Sequence, residues 1–456
     1  MKKAILFLIT LFAAVLASAQ TVEGSWTGKL NVMGTQLNLV FNITKTDGGT
    51  LACTLDSPDQ GAKGIPAEIT VSDGVKVKIN VPAIMASYEG ELANGQLKGT
   101  FSQGSMPFPL DLKPGKVERN RPQTPKAPYP YTTEEVTFTN TADNATLSGT
   151  LTYPADYEKM KKKTVPVVIM VTGSGQQNRD EEVFDHKPFL VLADFLARNG
   201  IASLRYDDRG TRKSTGDAAN ATTENNMKDA LAAIDFARHT GKFGSVGVLG
   251  HSEGGTIAFM LGAQGKADFI VSMAGPGVRG DSILLEQNRM ALVGAGVPQQ
   301  FADAYCKALG RILDGIKDGS ALRWPDIAVH VAAQQTGANL PEPIMQNLKA
   351  VIQQCTPWFK YFISYDPQAD IRAVKCPVMA VNGSKDTQVA AAGNLTAIRR
   401  LLPPNSLNIV KEYPELNHLF QHCTTGLPTE YAQIEETMSP EVMQDIADWI
   451  KKIIKS

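Results

Sequence analysis

Short apolar runs alternate with helical patterns from residue 165 onward, and this alternation constrains the fold more than any other feature of the sequence. The runs lie at residues 165–171, 201–206, 246–249, 269–273 and 378–381. Strands without polar alternation are buried on both faces, which is typical of parallel sheets covered by helices. The sequence therefore predicts a mostly parallel α/β sheet, preceded by an antiparallel pair near residues 135–138 and 146–153.

The strand–helix rhythm stops between residues 281 and 370, where only helical patterns occur, and then resumes. We interpret residues 132–280 and 371–456 as one catalytic domain and residues 281–370 as a helical lid inserted into it, because such insertions often cover a site. The aromatic residues of the insertion either line an apolar pocket or only pack the lid onto the sheet. They are Trp324, Trp358, Phe359, Tyr361 and Phe362.

Residues 20–112 have a different pattern, in which apolar and polar residues alternate with a period of two. Glycine-containing turns separate eight short segments of this kind. This pattern predicts a small antiparallel barrel or sandwich, either a ligand-binding or a structural module. Residues 113–131 contain five prolines and several basic residues, which predicts a semi-extended linker.

The first 19 residues have the features of a signal peptide. Lys2 and Lys3 precede an apolar run at residues 4–17, and residues 17–19 read Ala-Ser-Ala. We expect cleavage before Gln20 and export to the periplasm or the medium, with an uncleaved membrane anchor as the alternative. No later run of 18 apolar residues predicts a membrane span after cleavage.

The charge and cysteine content exclude some partners. The chain has 45 basic and 46 acidic residues and a formal net charge of −1, so a basic surface for nucleic acid is not expected. Neither C-x-x-C nor H-E-x-x-H occurs, so no metal site is predicted. The five cysteines leave disulfide pairing open, with at least one thiol unpaired.

The motif G-x-S-x-G occurs once, as Gly-His-Ser-Glu-Gly at residues 250–254. A predicted strand precedes it and a predicted helix follows it, as a nucleophile elbow requires. Ser252 is therefore the candidate nucleophile. The alternative is a glycine-rich turn with an inert serine.

A serine hydroxyl needs a base, and the base needs an orienting carboxylate. In this architecture the order along the chain is serine, acid, histidine. Asp386 follows the strand at residues 378–381 and is the candidate acid. Of the two histidines beyond it, His418 is the candidate base and His422 the alternative.

Backbone N–H groups are expected to stabilise the oxyanion of the tetrahedral intermediate. One is the N–H of Glu253, the residue after the nucleophile. The second is the N–H of Ser174 in a glycine-flanked loop after a strand, with Gly175 and Gln176 as alternatives.

Residues 131–456 resemble the α/β-hydrolase family, in particular its serine carboxylesterase branch. The resemblance rests on four blocks: Gly173-Ser174-Gly175 with Arg179-Asp180-Glu181, the charged stretch at residues 205–210, the elbow at 250–255, and Asn417-His418-Leu419-Phe420. It implies an α/β-hydrolase sheet and a catalytic triad of Ser252, Asp386 and His418. We expect hydrolysis of a small-molecule ester through an acyl-enzyme, without a cofactor.

Two other functions remain open. Relatives in the superfamily include aminopeptidases and acyl-peptide hydrolases, so a serine peptidase on the same scaffold is the main alternative. A non-catalytic binding protein that retains the fold is the third. We expect the charged residues Asp207, Asp208 and Arg209 to form salt bridges rather than to contact substrate.

Overall fold

The computed structural model describes residues 22–455 except 33–34, 118 and 338–339. The predicted signal peptide at residues 1–19 lies outside the described residues. The chain divides into two compact units between Arg119 and Asn120.

The first unit is a meander of antiparallel strands, in which each strand from β1 to β8 pairs with the next and β9 pairs with β1. Its described strands are β1 Gly24–Val32, β2 Thr35–Lys45, β3 Leu51–Ser57, β4 Ala62–Ser72, β5 Lys76–Val81, β6 Ala86–Ala93, β7 Gln96–Gln103, β8 Met106–Pro109 and β9 Lys113–Pro114. Alternate side chains point inward, so Phe41, Leu55, Ile79 and Tyr88 are fully buried. The predicted small β domain therefore has one core.

The sheet of the first unit returns to its first strand. Leu112 pairs with Leu97 of β7, and two residues later Pro114 pairs with Trp26 of β1. This closure makes the unit barrel-like, as the sequence predicts. It also places Lys113 and Pro114 in the sheet, whereas we predicted that the linker begins at residue 113. The proline is tolerated because it lies in a two-residue strand at the end of the sheet.

The second unit contains a mixed sheet of eight strands among its described residues. They are β10 Thr133–Asn140, β11 Ala145–Thr152, β12 Val167–Val171, β13 Ala202–Tyr206, β14 Val246–His251, β15 Ile270–Met273, β16 Val378–Gly383 and β17 Ile409–Tyr413. Their order is β10-β11-β13-β12-β14-β15-β16-β17. The pairs β10–β11 and β11–β13 are antiparallel and the others parallel. The predicted sheet type is confirmed.

Helices cover both faces of this sheet. Outside the helical insertion they are α1 Pro188–Arg198, α2 Thr223–His239, α3 Glu253–Ala263, α11 Ala391–Leu401 and α12 Pro440–Lys455. In β12, Val167 and Ile169 belong to the core beneath α2, α3 and α11. Val168 and Met170 belong to the opposite core beneath α1 and α12. Burial on both faces explains why the strands are continuously apolar.

The helical insertion lies between β15 and β16. It consists of α4 Gly280–Gly294, α5 Gln299–Asp318, α6 Ser320–Arg323, α7 Pro325–Gln334, α8 Glu342–Gln353, α9 Pro357–Ser364 and α10 Gln368–Ala373. Buried apolar residues, including Ile312, Leu348 and Ile363, give it a core of its own. Within the described residues, no helix combines the length and apolar character that crossing a membrane requires.

Candidate active site

The backbone at Ser252 turns sharply from β14 into α3. Ser252 has φ 54° and ψ −118°, a conformation that a residue with a side chain rarely adopts. A Cβ on Gly250 would lie 1.8 Å from the carbonyl oxygen of Gly254, and one on Gly254 would lie 2.1 Å from that of Val171. Only glycine fits these two positions, so the sequence spacing produces a strained turn that presents the half-buried Ser252.

Asp386 and His418 are brought together from two loops at the carboxyl ends of β16 and β17. His418 Nδ1 lies 2.8 Å from Asp386 Oδ2, and the two side chains are 6% and 0% exposed. The other oxygen, Asp386 Oδ1, accepts the N–H groups of Gln388 and Val389, each at 2.8 Å. A carboxylate held by three donors fixes the histidine tautomer with its proton on Nδ1, which leaves Nε2 able to accept a proton.

The turn that carries His418 is built by its neighbour Asn417. The fully buried Asn417 Oδ1 accepts the N–H groups of Leu419 and Gln421, both at 3.0 Å. Side-chain acceptance of this kind stabilises tight turns. His418 lies beside the elbow, because its ring centroid is 4.7 Å from that of His251, the residue before Ser252. The hydrogen bonds between described residues do not include one from Ser252 Oγ to His418.

His422, the alternative base, has a different partner. Its Nδ1 lies 2.8 Å from Glu436 Oε2, and the His422 side chain is 61% exposed. Asp386 is paired with His418 instead. The geometry therefore separates two histidines that the sequence order alone leaves as alternatives.

The loop after β12 lies against the elbow. A Cβ on Gly173 would lie 3.2 Å from Ser252 Cβ, and the exposed Ser174 follows directly. The N–H of Gly173 is already donated to Glu181 Oε1, at 2.8 Å. Glu253 is the first residue of α3, where backbone N–H groups have no partner within the helix. Glu253 and Ser174 thus remain the candidate oxyanion donors.

The half-buried acid Asp208 holds this loop by hydrogen bonds. Asp208 Oδ1 accepts the Thr172 hydroxyl and Oδ2 accepts the N–H of Gln177, both at 2.8 Å. Burial raises the pKa of Asp208 to about 8, although these two hydrogen bonds favour the charged form. Asp208 therefore carries a proton over much of the neutral range.

Asp207 and Arg209 form ion pairs, as predicted, whereas Asp208 accepts the hydrogen bonds from Thr172 and Gln177 instead. Asp207 lies 2.7 Å from Arg179 Nη2, and Arg209 Nε lies 2.8 Å from Asp229. All four side chains are largely or fully buried. These pairs join the 205–210 stretch to Arg179 in the loop after β12 and to Asp229 in α2, rather than joining residues within the stretch.

Sequence reasoning missed Glu181 as part of the site. Its Oε1 lies 2.9 Å from His251 Nδ1, and His251 Nε2 lies 2.9 Å from the carbonyl oxygen of His418. Both side chains are buried. Glu181 belongs to Arg179-Asp180-Glu181, one of the blocks that carry the family resemblance, eight positions after Gly173. That block is the sequence signal that could have pointed to it.

The lid reaches the elbow through Trp358 on α9. Its indole N–H lies 3.0 and 2.9 Å from the two carboxylate oxygens of Glu253. The Trp358 ring stacks on Phe362 with 5.3 Å between centroids. Burial raises the pKa of Glu253, against the effect of hydrogen bonds from Thr223 and Trp358. Trp324, in contrast, is 58% exposed.

Among the described residues, no group of three or more His, Cys, Asp or Glu side chains could hold a metal ion. The five cysteines are unpaired in the structure, and burial raises the pKa of Cys53 and Cys376 to about 12. These two thiols are therefore not nucleophilic at neutral pH.

Comparison with protein families identifies the second unit. Residues 143–411, more than half of the chain, match the family model described as X-Pro dipeptidyl-peptidase (S15 family). The chain belongs to the S15 family. The match includes Ser252 and Asp386, whereas His418 follows its last residue. The predicted membership of an α/β-hydrolase family is thereby confirmed.

Individual relatives of this S15 family member are distant. Esterase EstD of Thermotoga maritima is 23% identical over 289 residues, which are 63% of this chain and 62% of that esterase, less than two thirds of its length. An esterase of Pyrococcus furiosus is 17% identical, with a TM-score of 0.42, and covers 74% of this chain and 99% of its own. A proline iminopeptidase of Mycobacterium smegmatis is 12% identical, with a TM-score of 0.42, and covers 71% and 99%.

Proposed function

We propose that this protein is an exported serine hydrolase that cleaves carboxylic esters through an acyl-enzyme. The observation that carries the proposal is the buried pair of His418 and Asp386, 2.8 Å apart, beside the strained turn at Ser252. The S15 family match and the similarity to Esterase EstD support the same class of reaction.

In the first step, Ser252 Oγ attacks the ester carbonyl and His418 Nε2 takes the hydroxyl proton. Asp386 holds Nδ1–H and stabilises the imidazolium that forms. The fixed tautomer matters because a proton on Nε2 would remove the base. The ester carbonyl then carries an oxyanion, which the N–H groups of Glu253 and Ser174 stabilise by hydrogen bonding.

Collapse of this intermediate releases the alcohol, which takes the proton from His418. A water molecule then attacks the acyl-enzyme while His418 takes its proton. The acyl–Oγ bond breaks, the carboxylic acid leaves, and His418 returns the proton to Ser252 Oγ. The strained backbone at Ser252 holds Oγ clear of the sheet, accessible for its attack on the ester and for the later attack by water on the acyl group.

A cleft of about 420 Å³ lies between the lid and the loop after Asp386, and its lining residues include Met290, Val293, Thr387 and Leu427. Arg289, which also lines it, is paired with Glu286 and Asp303. The lining residues do not include Ser252 or His418, so the cleft lies on the side of the acid rather than at the nucleophile.

The second candidate function is a serine peptidase, which the S15 family description favours. A peptidase that acts at the amino end of a chain needs a carboxylate for the substrate amine. Glu253 is the carboxylate beside the nucleophile, but the Trp358 indole N–H is bonded to both its oxygens. This engagement favours an ester over a peptide with a free amino terminus.

Labelling with a fluorophosphonate, followed by hydrolysis assays, tests both functions. We expect labelling at Ser252, no labelling of Ser252→Ala, and faster turnover of nitrophenyl esters than of aminoacyl and X-Pro anilides. Faster turnover of the anilides would identify a peptidase. A folded protein without any labelling would exclude a serine hydrolase and favour a binding protein. Intact mass of the exported protein tests cleavage before Gln20.

A further inference from the structure

Two buried side chains behind the nucleophile connect three parts of the catalytic apparatus, and the proposed reaction gives them no role. His251 Nδ1 lies 2.9 Å from Glu181 Oε1, and His251 Nε2 lies 2.9 Å from the carbonyl oxygen of His418. The same Glu181 oxygen accepts the N–H of Gly173, at 2.8 Å. The pair thus includes the residue before Ser252, and it contacts the main chain of the base and the start of the oxyanion loop.

The partners of His251 determine its protonation. A carbonyl oxygen only accepts, so Nε2 must carry a proton. A carboxylate at Glu181 also only accepts, so its short contact with Nδ1 corresponds to an imidazolium with a proton on both ring nitrogens. The two side chains are 8% and 5% exposed. Burial lowers the pKa of His251, but Glu181 and the hydrogen bonds outweigh it and raise this pKa above its usual value.

Other charged groups face the pair from several elements. The His418 ring is 4.7 Å from that of His251 between centroids, and Asp386 also favours the charged form of His251. The negative charge of the nearby Glu181 also raises the pKa of Asp208. The apolar ring of Phe420 lies 6.5 Å from that of His251 between centroids. A positive charge on His251 is therefore balanced by Glu181, and it disfavours a second positive charge on His418.

We propose that His251 and Glu181 are positioning residues, which hold the main chain of His418 and Gly173 in register with Ser252. This inference rests on the proposed function, in which His418 is the base and the loop after Gly173 supplies an oxyanion donor. Neither side chain touches the reacting atoms in this scheme. They affect the rate indirectly, because a small displacement of the base or of an oxyanion donor slows the reaction strongly.

Steady-state kinetics of Glu181→Gln, His251→Gln and His251→Asn provide the first test. We expect kcat to fall on the order of 10²-fold with KM changed by less than about threefold, because geometry rather than binding is disturbed. His251→Gln retains an amide donor near the Nε2 position and should be the milder change at that residue. Glu182→Gln and His239→Gln are matched controls, which should keep the wild-type kcat. Unchanged kcat in all three test variants would overturn the proposal.

The pH profile distinguishes positioning by an ion pair from a purely structural role. His251→Gln removes a positive charge beside His418, which must be neutral to accept a proton, and leaves Glu181 unbalanced. The acid limb of kcat/KM should therefore move to higher pH. Glu181→Gln should move it less, because the loss of the positive charge on His251 is accompanied by the loss of the negative charge of Glu181. A shift in Glu181→Gln as large as that in His251→Gln would contradict a charged pair.

Nitrogen-15 spectra of the six histidines in the full-length chain test the pair without relying on activity. The His251 signals, assigned from their loss in His251→Gln, should show two protonated ring nitrogens at pH 7 and revert to a neutral ring in Glu181→Gln. The His418 signals should shift in Glu181→Gln. If the wild type neither hydrolyses esters nor reacts with fluorophosphonate, the proposed function fails, and these spectra still decide whether the pair holds His418. A neutral wild-type His251 with unmoved His418 signals overturns the inference.

Discussion

The indole N–H of Trp358 is bonded to both carboxylate oxygens of Glu253, the residue that follows Ser252. The two residues are 105 positions apart, one in the lid and the other at the start of α3. The backbone N–H of Glu253 is a candidate oxyanion donor, so the same residue is in contact with the lid and with the site of chemistry. This contact makes the position of α9 relevant to catalysis.

Trp358→Phe should weaken this lid contact while keeping an aromatic ring against Phe362. Loss of a donor to a buried carboxylate is expected to cost about 1–3 kcal/mol of unfolding free energy. Burial raises the pKa of Glu253 and the Trp358 bond lowers it. The bond therefore stabilises the ionised form, and the loss should be larger at pH 8.5 than at pH 5.5.

Urea denaturation at the two pH values measures this difference, and kcat/KM measures the effect on the site. Trp324→Phe is the matched control, since Trp324 is an exposed lid tryptophan. Equal destabilisation by both substitutions would show that the Glu253 contact has no special effect.

Much of the fold and the triad candidates can be predicted because their signals are local. A Cβ on Gly250 would lie 1.8 Å from the carbonyl oxygen of Gly254 within the elbow, and one on Gly254 would lie 2.1 Å from that of Val171 on β12, so glycines at this spacing mark the turn. Asp386 and His418 each follow an apolar strand, and the ends of parallel strands meet at one edge of the sheet. The sequence order therefore identifies them as candidates, but it does not separate His418 from His422.

The remaining contacts are long-range and carry no periodic signal. Glu181 and His251 are 70 residues apart, and nothing in their spacing indicates a hydrogen bond. The strand at Lys113–Pro114 is only two residues long. Its lysine and proline are typical of a linker, and only the pairing with β1 shows that it belongs to the sheet. Tertiary packing rather than local preference decides such positions.

His418→Gln and His422→Gln should differ sharply in activity. His418 is paired with the buried Asp386, whereas His422 is paired with Glu436 and mostly exposed. We expect His418→Gln to reduce kcat by at least about 10³-fold and His422→Gln to change it less than about twofold. Ester hydrolysis and the rate of fluorophosphonate labelling measure this. The reverse ranking would make His422 the base.

Asp386→Asn should reduce kcat by roughly 10⁴-fold with a smaller effect on KM. An asparagine oxygen can still accept the N–H groups of Gln388 and Val389, so the turn should persist. Its amide NH₂ would then face His418 Nδ1, which would have to accept, and the proton would move to Nε2. Circular dichroism checks the fold. Activity within tenfold of the wild type would show that Asp386 does not set the tautomer.

Asp208→Asn should make the dependence of stability on pH smaller. Burial raises the pKa of Asp208 to about 8, well above the value of 3.8 expected in the unfolded chain. The folded state therefore binds this proton more tightly, and the stability it contributes is present at low pH and lost as the pH rises through about 8.

Asparagine resembles the protonated acid, because its oxygen can accept from Gln177 N–H and its amide can donate to Thr172. The wild type should lose this stability progressively between about pH 4 and pH 8, so the variant should exceed its unfolding free energy at pH 6 and exceed it by more at pH 9. Urea denaturation at both values decides the point, with Asp217→Asn, an exposed acid in the following loop, as the control. If Asp208→Asn destabilised the protein equally at both pH values, Asp208 would be ionised throughout and would hold the oxyanion loop as a carboxylate.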